Sequence, residues 1–192
     1  LKDCDATIVC LSERWKELIT PFLGKCVVSS NPIDPIHCID ETVERKQNQI
    51  LLLGRDDEVK GHDFAFEVMR EFQKNASDVT LHCTGREQAP DGLNNVIAHG
   101  WVSKEEKVRL LQESSLLILP SAYEGQPMVA LEALACGTPV LASKTLHSLP
   151  NSTFKSETGT TESWIDSISD LLGRKIDPVS YTHLTLPTTN SV

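Results

Sequence analysis

Apolar residues along this chain alternate between short continuous runs and longer stretches with helical spacing. The continuous runs have the length of strands buried on both faces, whereas Phe64, Val68 and Phe72 recur at the interval of a helix. Strands that alternate with helices in this way favour a parallel sheet covered on both faces. We therefore predict a doubly wound α/β fold, with strands over 6–11, 26–28, 49–53, 79–83, 96–98, 115–119 and 138–142.

Local signals predict where the helices begin and end. Pro21 is expected to stop the helix that begins at position 13, because proline lacks an amide donor. Ser103 and Glu106 have the spacing of a capping box, which opens a helix. Pro127 suits a first helical turn and Gly137 suits the left-handed position after the last turn, so these two residues bound a further helix. An amphipathic pattern over 164–172 predicts one more helix.

Composition and charge narrow the classes of function. The chain has 192 residues, a formal net charge of −9 and 23% charged residues. This length allows one full domain with a fragment of a second, and the acidic balance disfavours a general nucleic-acid-binding protein. The six cysteines include no C-x-x-C pair, which disfavours a zinc site or a disulfide framework and favours the reducing cytoplasm. No apolar run is long enough to predict a membrane span.

The two ends of the chain differ from its middle. The chain begins at Leu1 rather than at Met, and we expect it to be cut from a longer protein. Asp3 and Asp5 form a D-x-D pattern, which we interpret as a chance match rather than a metal site. Residues 178–192 contain no Asp, Glu, Lys or Arg and show no periodicity. They resemble the translated read-through of a sequencing adapter; a disordered end is the alternative, and we leave the segment out of the fold.

The first candidate binding segment, 54–61, follows a predicted strand. Ligands of doubly wound sheets bind beyond the carboxyl ends of the strands. Arg55 and Lys60 lie there, where a guanidinium and an ammonium group can bind a diphosphate. The spacing differs from that of a Walker A loop. The alternative is a solvated turn in which the acidic residues at 56–58 balance the two cations.

The second candidate segment, 120–133, runs from a strand into a helix. Glu124 lies in the loop, and Gly125 allows the backbone to approach a ligand closely. The free amide groups at the start of the helix can bind an anion or a sugar. Glu132 lies within an apolar helix, so its carboxylate needs a partner. The hydroxyl groups of a ribose or another sugar would serve, and a neighbouring Arg or Lys is the alternative partner.

Together these segments resemble the C-terminal, nucleotide-sugar-binding half of the family 4 glycosyltransferases, which have the GT-B fold. The motifs are G-R-x(4)-K-G at 54–61, P-S-x-x-E-G at 120–125, E-x(7)-E at 124–132 and L-E-A-x-A-x-G-T-P-V at 131–140. The resemblance covers 6–143 and implies a Rossmann-like domain that forms one half of a GT-B enzyme. On this basis 1–46 is the end of the N-terminal half with the interdomain crossing, 47–177 is the nucleotide-sugar-binding domain, and 178–192 is the tail.

The resemblance implies that sugar is transferred with retention from a nucleotide-diphosphate donor such as a UDP- or GDP-sugar, without metal or other cofactor. Arg55 and Lys60 would hold the diphosphate and stabilise the leaving group, Glu124 would contact the transferred sugar, and Glu132 would bind the ribose. Three of these residues are the predicted catalytic groups: Glu124, Arg55 and Lys60. The predicted donor-binding residues are Arg55, Lys60, Glu124, Gly125, Gln126, Pro127, Met128 and Glu132.

The chain also departs from the family pattern. Gln126 and Pro127 replace residues of a glycine-rich segment, and 144–148 replaces a Gly-Gly segment, so the identity of the donor sugar stays open. The resemblance places the binding of a glycan or lipid-linked acceptor in the missing N-terminal half, and we expect the fragment alone to be inactive. It implies a cytoplasmic protein of bacterial polysaccharide or glycoconjugate assembly, with peripheral association at the inner face of the membrane as a further expectation. The alternatives are an epimerase or phosphorylase on the same fold, or a non-catalytic α/β binding module.

Overall fold

A computed structural model describes residues 6–29 and 31–174 of the chain. The D-x-D pattern at 3–5 and the tail at 178–192 lie outside the described residues. The strands are β1 Ile8–Cys10, β2 Cys26–Val28, β3 Lys46–Leu52, β4 Thr80–Cys83, β5 Val96–Ala98, β6 Ser114–Leu119, β7 Val140–Ser143 and β8 Phe154–Ser156. The helices are α1 Glu13–Leu23, α2 His62–Lys74, α3 Lys104–Glu113, α4 Met128–Ala135 and α5 Thr161–Gly173.

Six of the strands form one parallel sheet in the order β5-β4-β3-β6-β7-β8. The chain moves outward from β3 in one direction and then from β6 in the other, which is the doubly wound, Rossmann-like topology. The predicted fold class is therefore confirmed. Strands β1 and β2 form a separate parallel pair. The sequence prediction missed β8, because this short edge strand has one large apolar residue, Phe154, and shows no period.

The core lies in two layers, one on each face of the sheet. In β3, Ile50 and Leu52 pack toward α2 and α5, whereas Leu51 and its neighbour Leu53 pack toward α3 and α4. All four side chains are almost fully buried, which explains why this strand reads as a continuous apolar run. Trp164 of α5 closes the first layer and donates from Nε1 to the carbonyl oxygen of Glu157 at 2.8 Å. Helices therefore cover both faces, as predicted.

The structure corrects the predicted end of α1, whereas α3 begins after Ser103 as predicted. Helix α1 continues through Pro21 to Leu23 and does not stop at the proline. Proline removes only its own donor, and the amide of Gly24 still bonds to the carbonyl of Thr20 at 3.0 Å, so the last turn forms. The capping box of α3 is half formed. The hydroxyl of Ser103 accepts the Glu106 amide at 3.1 Å, but the Glu106 carboxylate pairs with Arg109 instead.

The predicted end of α4 is confirmed. Gly137 adopts the left-handed conformation, with φ of 72°. Its amide donates to the carbonyl of Leu134 at 3.0 Å, and the amide of Thr138 donates to that of Ala133 at 2.8 Å. These two bonds form a Schellman motif, which satisfies the last carbonyl groups of the helix and turns the chain into β7.

Arg45 is a half-buried cation that binds carbonyl groups instead of a carboxylate. Its guanidinium donates to the carbonyls of Ser114 at 2.7 Å and Cys136 at 2.6 Å, and to the hydroxyl of Thr138 at 2.9 Å. Burial lowers the pKa of Arg45. Carbonyl groups at helix ends carry partial negative charge, so they stabilise the cation. Arg45 thereby fastens the chain before β3 to the ends of α3 and α4, which nothing in the sequence pattern indicated.

No helix in the described part of the chain is long and apolar enough to cross a bilayer. The longest helices, α2 and α5, have 13 residues each. A span of the hydrocarbon core takes about 20 residues.

Two histidines pair on the α3 side of the sheet. His82 in β4 and His99 after β5 lie with Nδ1 and Nε2 at 2.9 Å, and their rings stack. Burial, followed by the repulsion from His99, lowers the pKa of His82 from 6.5 to about 4, and burial also lowers the pKa of His99. A hydrogen bond between the two nitrogens needs one ring to accept, so the pair is stable when His82 is neutral.

We expect the free energy of unfolding to fall as the pH is lowered from 6.5 to about 4. The pKa of His82 is lower in the folded chain than in the unfolded chain, so in this window the unfolded chain binds more protons. The contribution of neutral His82 to the free energy of unfolding is therefore fully present above pH 6.5 and is lost toward pH 4. Urea titrations across this range measure the slope. The His82→Gln variant, which does not titrate, should show a shallower slope; an unchanged slope would contradict the assignment.

Candidate functional site

The candidate site is a cleft at the carboxyl ends of the central strands. The strand order reverses between β3 and β6, and ligands of doubly wound sheets bind at such a reversal. The cleft has a volume of about 310 Å³. Its lining includes three cationic side chains, those of Arg55, Lys60 and Lys107, together with Trp101 and Val129. In a chain of net charge −9, this group of cations favours an anionic ligand.

The two predicted segments meet in this cleft through Lys60 and Glu124. The ammonium Nζ of Lys60 lies 2.5 Å from Oε1 of Glu124, and the two side chains are only 20% and 15% exposed. A backbone bond of 2.9 Å from the Ala122 amide to the Val59 carbonyl holds the loops together. The structure thus brings together two residues 64 positions apart that the sequence placed in one site.

Arg55 lies at the rim of the cleft. Its side chain is 72% exposed, and its guanidinium lies 3.4 Å from the carboxylate of Asp57. Asp56, which the charged-turn interpretation paired with this region, binds Arg86 at 2.7 Å instead. The charged-turn alternative therefore describes Arg55, which pairs with Asp57, whereas Lys60 pairs with Glu124. The two side chains predicted to bind phosphate therefore differ in exposure: Arg55 is exposed, and Lys60 is largely buried.

Glu132 lies in α4 and is only 8% exposed. Its Oε1 accepts a bond from Nζ of Lys107 in α3 at 2.7 Å, so the alternative of a lysine partner is confirmed for this oxygen. The ring nitrogen Nε2 of His37 lies 3.7 Å from the same oxygen. The other oxygen, Oε2, is buried and has no hydrogen-bond partner among the described residues. One half of the carboxylate is therefore available to a ligand donor.

The segment 125–128 forms the entry to α4. Gly125 is exposed and nothing lies within 4 Å of the position that a Cβ would take. Pro127 precedes the helix as its N-cap, one position earlier than predicted, and α4 begins at Met128. The side chain of Gln126 points away from the predicted contacts: it donates to the Leu11 carbonyl and accepts the Asn31 amide, both at 3.1 Å. Backbone contacts of this segment with a donor stay a prediction.

Comparison with known proteins identifies the family. The sequence pattern of the family described as glycosyl transferases group 1 matches residues 47–174, which include every predicted site residue. The chain belongs to this family. The cleft therefore lies within the part of the chain that matches this family.

Two curated relatives match part of their length to this chain. The chain is 31% identical to an uncharacterised 41.2 kDa protein of the cps region of Klebsiella pneumoniae, over 59% of this chain and 32% of that protein. It is 27% identical to a glycogen synthase of Mycobacterium tuberculosis, over 74% of this chain and 38% of that protein. The chain thus spans about a third of the length of these curated relatives.

Solved structures share the fold. An S. aureus TarM mutant in complex with fondaparinux, α-GlcNAc-glycerol and UDP superposes with a TM-score of 0.73 at 19% sequence identity. The superposition covers 92% of this chain and 39% of the other. At this identity the likeness shows the fold, which is that of GT-B glycosyltransferases.

The sequence prediction for this glycosyl transferase domain missed three residues at the site. Lys107, Trp101 and His37 reach the cleft or Glu132 from three different segments. Trp101 is 74% exposed, and a large aromatic directly after Gly100 was the one available signal. Lys107 reads as an ordinary polar residue of an amphipathic helix, and His37 as part of a turn. Their roles depend on which segments pack together.

Proposed function

We propose that the protein transfers a sugar from a nucleoside-diphosphate donor to an acceptor with retention, and that this chain is the donor-binding, C-terminal half of a family 4 glycosyltransferase. The observation that supports the proposal most directly is the pairing of Lys60 with Glu124 at the reversal point of the sheet. A cation for the phosphates and a carboxylate for the sugar stand side by side there. In a nucleotide-sugar donor the diphosphate is bonded directly to the sugar, so one donor can contact Lys60 and Glu124 at the same time.

Lys60 and Arg55 would neutralise the diphosphate. The Lys60 ammonium is bound to Glu124, and the exposed Arg55 can turn from Asp57 toward a ligand. A phosphate oxygen would replace Glu124 on Lys60, and the released carboxylate would accept sugar hydroxyls. As the bond to the sugar breaks, negative charge grows on the leaving diphosphate, and these fixed cations stabilise it. We therefore propose that the reaction needs no metal ion or other cofactor.

The nucleoside would lie between α3 and α4. The free Oε2 of Glu132 would accept a ribose hydroxyl, and Lys107 would keep Oε1 in place. Trp101 lines the same cleft with most of its ring exposed, so it offers a surface on which a base can stack. These contacts fit UDP and GDP equally, so the proposal does not specify the identity of the base.

The acceptor is a separate part of the proposal. We propose a glycan or lipid-linked acceptor bound by the other half of the enzyme, in a cytoplasmic protein that associates with the inner face of the membrane. Catalysis needs donor and acceptor held in one geometry. A sugar-transfer assay on the full-length protein distinguishes this activity from an epimerase, which would convert the donor sugar without an acceptor.

Nucleotide binding to this chain tests the donor site. We expect UDP or GDP to bind, and Glu132→Gln to weaken that binding about 20-fold, because a charged acceptor for a ribose hydroxyl is lost. Isothermal titration calorimetry measures both affinities. Glu105→Gln, an exposed glutamate on α3, is the matched control and should bind like the unmodified chain. Absence of binding at millimolar nucleotide, or equal binding by Glu132→Gln, would overturn the proposal.

A further inference from the structure

His37 lies on the segment that crosses to β3, outside the predicted motifs, yet its side chain is only 2% exposed. The backbone amide of His37 donates to the Asp34 carbonyl at 3.0 Å, which forms a tight turn. Two residues of α3 hold this turn: Lys104 pairs with the Asp34 carboxylate, and Gln112 donates to the Cys38 carbonyl at 3.0 Å. The ring is therefore fixed against the site by contacts that do not involve the ring itself.

The surroundings of the His37 ring determine which of its nitrogens donates a hydrogen bond and which accepts one. Nδ1 lies 3.2 Å from the carbonyl oxygen of Asp34, which can only accept, so Nδ1 carries the hydrogen. In the neutral ring Nε2 is then an acceptor. It lies 3.7 Å from Oε1 of Glu132, beyond hydrogen-bond distance, and it has no hydrogen-bond partner among the described residues.

Two buried acceptors thus lack partners at one place. Nε2 of His37 and Oε2 of Glu132 both need a donor, and Lys107 is already bound to Oε1. A buried polar atom without a partner is destabilising, so such a pair is expected where a ligand supplies the bonds. Val129, one turn before Glu132 on α4, lines the cleft. Lys107, which binds Glu132, also lines the cleft, so the two acceptors lie next to residues of the cleft lining.

We propose that His37 is a second nucleoside-binding residue, whose Nε2 accepts one of the two ribose hydroxyls while Oε2 of Glu132 accepts the other. This inference rests on the proposed function, since it needs a nucleotide in the cleft. A vicinal diol carries two adjacent donors, which matches the two adjacent acceptors. The crossing segment is then part of the donor site, and it contributes to the preference for ribose over deoxyribose.

Deoxynucleotides test this role. UDP and GDP are titrated first, and the tighter of the two is compared with its 2′-deoxy and 3′-deoxy forms. We expect the unmodified chain to lose about 5-fold in affinity for each missing hydroxyl. The His37→Phe variant, which keeps a ring but no acceptor, should lose the preference for one hydroxyl and keep the other. Glu41→Gln, an exposed glutamate of the same segment that holds neither the turn nor the ring, should keep both preferences.

The outcomes separate the two proposals. If the chain binds neither UDP nor GDP, the proposed function fails and the role of His37 fails with it. If nucleotide binds but His37→Phe keeps both preferences, only the role of His37 is overturned. If the unmodified chain shows neither preference, the ribose contacts of His37 and Glu132 are both overturned, while nucleotide binding itself stands. Nitrogen NMR of labelled histidine in the unmodified chain gives a second measurement. The Nε2 resonance should move with the ribonucleotide and move less with one deoxy form; equal shifts with all three would overturn the role.

Discussion

Replacing Lys60 by methionine is expected to lower the affinity for a nucleoside diphosphate about 100-fold, because a charge-assisted bond to a phosphate oxygen is lost. The side chain is only 20% exposed, so water replaces it poorly. The substitution also leaves Glu124 without its partner at 2.5 Å, and its charge then repels the diphosphate. Titration calorimetry with UDP and GDP measures the change.

Two further variants show where the effect originates. Lys60→Met combined with Glu124→Gln should recover part of the affinity, because the repelling charge is gone. Arg55→Ala should cost less than Lys60→Met, because the Arg55 side chain is 72% exposed. Thermal melts confirm that each variant is folded. If Lys60→Met binds as tightly as the unmodified chain, Lys60 does not hold the diphosphate.

Replacing Gly85 by alanine is expected to lower the free energy of unfolding by about 3 kcal/mol. Gly85 follows β4 with φ of +84°, a conformation that L side chains rarely adopt. A Cβ there would lie 2.3 Å from the carbonyl oxygen of Gly54 and 2.8 Å from the amide of Asp56. Both contacts are with backbone of the loop that carries Arg55, so the loop must move. Urea unfolding measures the loss, and nucleotide affinity should fall with it.

Gly92→Ala is the matched control. Gly92 also has a positive φ, of +78°, but nothing lies within 4 Å of its Cβ position. This variant therefore carries the conformational cost alone, about 1 kcal/mol. Equal destabilisation by the two substitutions would show that the close approach between the loops after β3 and β4 is unimportant.

The parts of the site that the sequence predicted are those carried by a local pattern. Lys60 and Glu124 each follow a strand that reads as a continuous apolar run, and parallel strands end at one edge of a sheet. Their meeting could therefore be anticipated. The partner of Glu132 could not be chosen from the sequence, because Lys and Arg residues occur on several segments. The structure selects Lys107 at 2.7 Å.

The predictions of helix ends also succeeded where a local pattern was enough and failed where other contacts competed. The end of α4 was predicted correctly because a Schellman motif depends on neighbouring backbone groups alone. The end of α1 was predicted wrongly, since one missing proline bond did not outweigh the rest of the turn. In the capping box of α3, the predicted bond from the Glu106 carboxylate back to the Ser103 amide does not form, because Arg109 binds that carboxylate instead.

By itself, the sequence determined the doubly wound sheet and the acidic and basic residues at the carboxyl edge of its strands. Each of these follows from spacing along the chain, which sets the face or end of an element on which a side chain lies. Only the tertiary structure decided that Lys107 and His37 adjoin Glu132, that Arg45 binds carbonyl groups, and that Arg55 lies at the rim. These contacts join segments that are far apart in sequence. Packing and burial decide which of several possible partners each side chain takes, and no local sequence pattern encodes them.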